Sequence, residues 1–76
     1  MIIKVLGPGC PRCIKTEENV KEAVKNLGID ALVEKITDIN RIVDFGITVT
    51  PALAVDGEVK FSGRIPSVKE IEEVIK

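Results

Sequence analysis

The chain has two cysteines, Cys10 and Cys13, in the run Gly7-Pro8-Gly9-Cys10-Pro11-Arg12-Cys13. Two thiols three positions apart can exchange electrons as a dithiol–disulfide couple, supply half of a metal site, or pack inertly as buried neighbours. Closing them into a disulfide would add little stability, because so short a loop barely constrains the unfolded chain. There is no histidine, so His-dependent zinc sites and His general bases are excluded. A structural zinc site wants four ligands, and the sequence holds no other Cys or His to complete one. No metal and no cofactor are therefore expected.

With 76 residues the chain is a single domain, 1–76, near the lower limit for folding on a hydrophobic core alone. Apolar residues make up 45% and aromatics only 3%, so Ile, Val and Leu must build that core. The 11 basic and 12 acidic residues nearly balance, and no basic stripe with interleaved aromatics appears. Nucleic acid is not an expected partner. The apolar runs are far too short to span a bilayer, and Met1 leads into Ile2-Ile3-Lys4-Val5-Leu6 rather than a cleavable signal. The expectation is a cytoplasmic monomer. In that compartment a close cysteine pair is more often redox-active or metal-binding than structural.

The elements that must position the pair can be read from periodicity. Ile2 to Leu6 is a β-branched apolar run stopped by Gly7-Pro8-Gly9, a strand buried on both faces. A helix follows, with Pro11 in its first turn, where a missing N–H costs nothing. Its apolar stripe is Cys13, Thr16, Val20, Val24 and Leu27, with Ala23 beside them. Glu17 and Lys21 can pair one turn apart, and Gly28 is a C-terminal stop. Ala31 to Ile36 reads as a more polar edge strand. Asp38 offers an N-cap to a short helix with Ile39, Ile42 and Val43 facing inward, closed by Gly46. Asp56-Gly57 between two strand-like runs predicts a two-residue hairpin. Ser67 and Glu70 form a capping box for a last helix with Val68, Ile71, Val74 and Ile75 on one face. The order β-α-β-α-β-β-α implies a right-handed parallel crossover followed by an antiparallel hairpin. The predicted fold class is α/β, a mixed four-stranded sheet flanked by three helices.

On that frame Cys10 falls at the loop-to-helix junction and Cys13 in the first turn. Positions i and i+3 share a helix face, roughly 5 Å apart, within the span that a disulfide can bridge. Cys13 continues the apolar stripe and should point inward, leaving Cys10 more exposed. Helix N-termini favour negative charge, and in a C-x-x-C at such a place a thiol pKa can fall to about 7 or lower. Arg12 and Lys15 add positive charge nearby. Cys10 would attack a substrate disulfide and Cys13 would resolve the mixed disulfide. Pro11 and Arg12, between the cysteines, are candidate tuning residues. So is Lys4, which interrupts the first strand as a cation near the thiols or as a packed stem reaching water.

Cys10-Pro11-Arg12-Cys13 after a first strand, Thr50-Pro51 before a third, and a hairpin leading to a last helix resemble the thioredoxin and glutaredoxin superfamily. The likeness is to its small, glutaredoxin-sized prokaryotic thioredoxins, over Ile2 to Lys76. It implies a thioredoxin-like fold. It implies a cis-proline at Pro51 beside the disulfide, and substrate binding through the backbone of Thr50. Gly9 stands where thioredoxins commonly carry Trp. Pro11-Arg12 is closer to the Cys-Pro-x-Cys of glutaredoxins, whereas Ser62-Gly63-Arg64 has one glycine where glutaredoxins have two. Arg64 is a candidate carboxylate grip, or a solvated surface side chain.

The reading is a thiol–disulfide oxidoreductase acting on client protein disulfides and regenerated by a flavoprotein disulfide reductase. Gly9, Ile47, Val49 and Ile65 are candidate apolar rim. The rival is a small metallochaperone using the same two thiolates, whose β-α-β-β-α-β order would end on a strand.

Overall fold

The computed structural model describes residues 1–9, 11–47 and 49–76. Its elements are β1 (Ile2–Leu6), α1 (Pro11–Leu27), β2 (Leu32–Ile36), α2 (Ile39–Asp44), β3 (Ala52–Val55), β4 (Glu58–Ser62) and α3 (Val68–Ile75). The predicted order is the observed one. This order, with α2 between β2 and β3, is not the β-α-β-β-α-β of the metallochaperone reading.

The sheet runs β2-β1-β3-β4. β1 lies inside it, parallel to β2 from Ile2↔Leu32 to Leu6↔Ile36 and antiparallel to β3 from Ile3↔Val55 to Leu6↔Ala52. β2 is an edge strand, as its polarity suggested, and begins one residue later than the sequence pattern indicated. Between β3 and β4 the turn residues Asp56 and Gly57 both take positive φ, 51° and 87°. This is the primed-turn geometry for which Asp-Gly is suited. The pairing then slips by one at Leu53/Ala54.

Strand alternation sorts the core into two layers. Ile3, Val5, Leu53 and Val55 face α1 and α3, meeting Val20, Ala23, Ile71 and Ile75. Leu6, Ile36, Ala52 and Ala54 face the other way and are covered by Ile42 and Ile47. α3 starts with the predicted capping box: Ser67 Oγ accepts from Glu70 N, and Glu70 Oε1 accepts from Ser67 N, each at 3.1 Å. Gly28 ends α1 with φ 62°, and Lys21 meets Glu17 at 3.8 Å.

α2 departs from expectation. Asp38 caps it, accepting from Asn40 N at 2.9 Å, but only Ile42 is buried. Ile39 and Val43, expected to face inward, are 65% and 62% exposed. A helix of six residues has fewer than two turns. With Ile42 seated on the sheet, its neighbours project to the flanks.

Candidate active site

β1 delivers the chain to one end of the sheet, where Gly7, Pro8 and Gly9 lead it into α1. Gly7 is buried, and its N–H donates to the Ile36 carbonyl at 2.9 Å, extending the β1–β2 ladder by one bond. Gly9 takes φ 92°, open to glycine at no steric cost. Cys10 lies outside the described residues. Pro11 opens α1 and is exposed, as is Arg12.

Cys13 occupies the inward position that the apolar stripe predicts and is 1% exposed. Its Sγ lies against Gly7 so closely that a Cβ at position 7 would overlap it, and the same Cβ would stand 3.1 Å from Cys13 Cβ. Thr50 Cβ is 3.9 Å from that point. The first strand's exit, the Cys13 thiol and Thr50 thus converge at one end of the sheet. One turn along α1, fully buried Thr16 donates from its hydroxyl to the Arg12 carbonyl at 2.9 Å. That satisfies the hydroxyl where no water reaches it.

The Thr50-Pro51 peptide is cis, and Pro51 is buried. The carbonyl of Pro51 accepts from Gly63 N at 3.0 Å, while the carbonyl of Gly63 accepts from Arg12 Nη2 at 3.3 Å. The two peptide groups flanking Gly63 therefore link Arg12, in the first turn of α1, to the segment carrying Pro51. Gly63 takes φ 80°, and a Cβ there would meet Val49 Cγ1 at 3.2 Å.

The remaining candidates are placed unevenly. Lys4 points to the α2 side of the sheet, away from α1, with its ammonium 5.3 Å from the Phe45 ring centroid. Arg64 grips a carboxylate, but of its own chain: two hydrogen bonds of 2.9 and 2.6 Å reach Glu70, and its guanidinium lies 5.0 Å from the Phe61 ring centroid. This hydrogen bonding, with the Ser67 backbone N–H second, lowers the Glu70 pKa to about 2. Of the candidate rim, Gly9 and Val49 are exposed and Ile65 is half-buried, while Ile47 is buried at 5% exposure and lies beneath the surface.

A pocket of about 420 Å³ opens beside these residues, and sequence reasoning did not anticipate it. Its walls include Pro8 and Thr50 on the site side, and Ile39 and Val43 on α2. The signal for it was present in the apolar spacing of α2, which fits a pocket wall as well as a core.

Among the described residues no cluster of three or more His, Cys, Asp or Glu side chains could hold a metal ion, and no helix is long and apolar enough to cross a membrane. Comparison with known proteins agrees with the architecture. The model of a family described as the thioredoxin domain matches residues 1–76. A thioredoxin of Methanocaldococcus jannaschii is 50% identical over 76 residues, covering all of this chain and 87% of its own. A thioredoxin of Methanothermobacter thermautotrophicus is 48% identical over 75 residues, covering 99% and 97%. A probable thioredoxin of Methanothermobacter marburgensis is 37% identical over 81 residues, covering 99% and 94%. With its dithiol spacing, its cis Thr50-Pro51 and this likeness across the whole length, the chain belongs to the thioredoxin family, a redox protein of the thiol–disulfide oxidoreductase kind.

Proposed function

We propose that this protein reduces the disulfides of client proteins through Cys10 and Cys13. The Cys10 thiolate attacks one sulfur of the client disulfide. A new S–S bond forms, the client bond breaks, and one client sulfur leaves as thiolate. Cys13 then loses its proton and attacks Cys10 Sγ, displacing the second client sulfur. The client gains two electrons and, once protonated, two thiols, and the protein is left with a Cys10–Cys13 disulfide. A dithiol reductant, expected to be a flavoprotein disulfide reductase, reverses that oxidation. Thr50 and Pro51 form the platform on which the client chain lies, and Pro11, Arg12 and Lys4 tune the couple. The protein works in the cytoplasm as a monomer.

The observation that carries this reading is the placement of Cys13. Its thiol is buried in the first turn of α1, three positions after Cys10 and beside Thr50. A resolving thiol needs such a position, shielded from outside disulfides. The reading is tested by counting thiols, by alkylation and mass, on metal-free protein equilibrated across thiol–disulfide buffers. A two-electron transition with a midpoint of about −200 to −300 mV is expected. Cys13→Ser should leave a long-lived mixed disulfide on Cys10. If no intramolecular disulfide forms at any poise, the proposal is wrong.

A further inference from the structure

Arg12 is exposed in the first turn of α1, and it is held at both ends. Its carbonyl accepts from the Thr16 hydroxyl at 2.9 Å, and Thr16 is fully buried, so the backbone of that turn is fixed from within. Its guanidinium leaves the helix and donates to the Gly63 carbonyl at 3.3 Å. Gly63 in turn bears on the chain on either side of Thr50. Its N–H donates to the Pro51 carbonyl at 3.0 Å, and it lies against the Val49 side chain, whose Cγ1 would stand 3.2 Å from a Cβ at position 63. The segment after Gly63 is tied down as well. Arg64 holds Glu70, in the first turn of α3, with two hydrogen bonds, and Asn19 of α1 donates to the Pro66 carbonyl at 2.9 Å.

Two sets of contacts thus run from the first turn of α1 to Thr50. The inner one is buried, where Cys13 and Thr50 meet at Gly7. The outer one is the exposed line from Arg12 through Gly63 to Val49 and Pro51. We infer that Arg12 is a positioning residue for client reduction: through Gly63, its guanidinium sets where the platform of Thr50 and Pro51 stands relative to the turn that carries Cys13. This role is separate from what its positive charge does to the thiols. Attack on a disulfide needs the reacting sulfurs brought together in line, and a small displacement of the bound chain slows such a step. The inference rests on the disulfide-reducing function proposed above and adds to it a residue that aligns the client.

The test uses pre-reduced protein and two uncharged disulfides, one in a peptide long enough to lie along Thr50 and one a small aromatic disulfide that does not reach the platform. Second-order rate constants are measured for both. A change in thiol reactivity caused by charge enters both rates, so the peptide-to-aromatic ratio isolates alignment. Arg12→Met keeps an unbranched stem, loses the donor, and should lower that ratio about three- to tenfold, the worth of one hydrogen bond. Arg12→Lys keeps a donor of similar reach and should hold the ratio close to that of the unmodified protein. In a Gly63→Ala background, where the added methyl already crowds Val49, the effect of Arg12→Met should shrink. Circular dichroism checks that each variant folds. A ratio untouched by Arg12→Met, or lowered as far by Arg12→Lys, overturns the positioning role while leaving the redox reading intact. An effect of full size in the Gly63→Ala background also overturns it, because Arg12 would then act on the client directly. Failure of the unmodified protein to reduce either disulfide refutes the redox reading, and the positioning role falls with it.

Discussion

Replacing Gly7 with alanine probes the tightest contact of the site. The added methyl would overlap Cys13 Sγ and stand 3.1 Å from Cys13 Cβ. Neither side can easily yield. Gly7 is held by its 2.9 Å hydrogen bond to Ile36, and α1 is anchored by Thr16, Val20 and Ala23, all at 0% exposure. Forcing a methyl into packed surroundings costs about 1–3 kcal/mol. In a domain of this size each kcal/mol moves the melting temperature by about 4–8 °C, so Gly7→Ala should melt about 4–24 °C lower. Part of the cost belongs to the overlap with Sγ, and a double-mutant cycle isolates that part. In a Cys13→Ala background the sulfur is gone, and Gly7→Ala should cost about 1 kcal/mol less than in the parent. Thermal melts of the four proteins by circular dichroism give both numbers. A parent-like melting temperature for Gly7→Ala, or an equal cost with and without the sulfur, would refute the steric argument.

Three further outcomes follow from the packing and the caps. Leu53→Ala removes a fully buried side chain between β3 and the two long helices and should cost about 2–5 kcal/mol, read by chemical denaturation. Ser67→Ala removes the oxygen that accepts from Glu70 N, and the loss of about 1 kcal/mol should lower the melting temperature by about 4–8 °C. Glu70 has a folded-state pKa below that of the unfolded chain, so its contribution is complete above about pH 4.3 and fades as pH falls towards about 2. Glu70→Gln should therefore flatten the decline of melting temperature with acidification across that window and leave its slope above pH 6 unchanged; an unaltered acid limb would contradict the assignment.

Most of the frame was legible because the signals that specify it are local. Helical spacing from Cys13 to Leu27, the Asp-Gly turn and the Ser67–Glu70 box each act within a few residues, and each appears where expected. The family resemblance supplied the expectation of a cis peptide before Pro51, which spacing alone does not give. Contacts between distant segments were not legible. Arg12 meets Gly63 across 51 positions, and Lys4 finds the ring of Phe45. No periodicity encodes either pairing. The inward assignment of Ile39 and Val43 failed for a related reason. In a helix of six residues a stripe of three apolar positions does not say which one meets the sheet. Ile47 was misplaced in the opposite sense, taken for rim and found beneath it.

The unequal anchoring of the parts around Thr50 bears on how such a protein diverges. Gly7 and Cys13 are fitted to one another within van der Waals contact, and a change at either disturbs both. α2 is fixed to the sheet by the single buried side chain of Ile42. Substitutions on its flanks alter what the surface presents and leave the sheet and Cys13 where they were. On this scaffold the flanks of one short helix are free to drift in sequence while the fit of Cys13 against Gly7 holds both of those positions fixed.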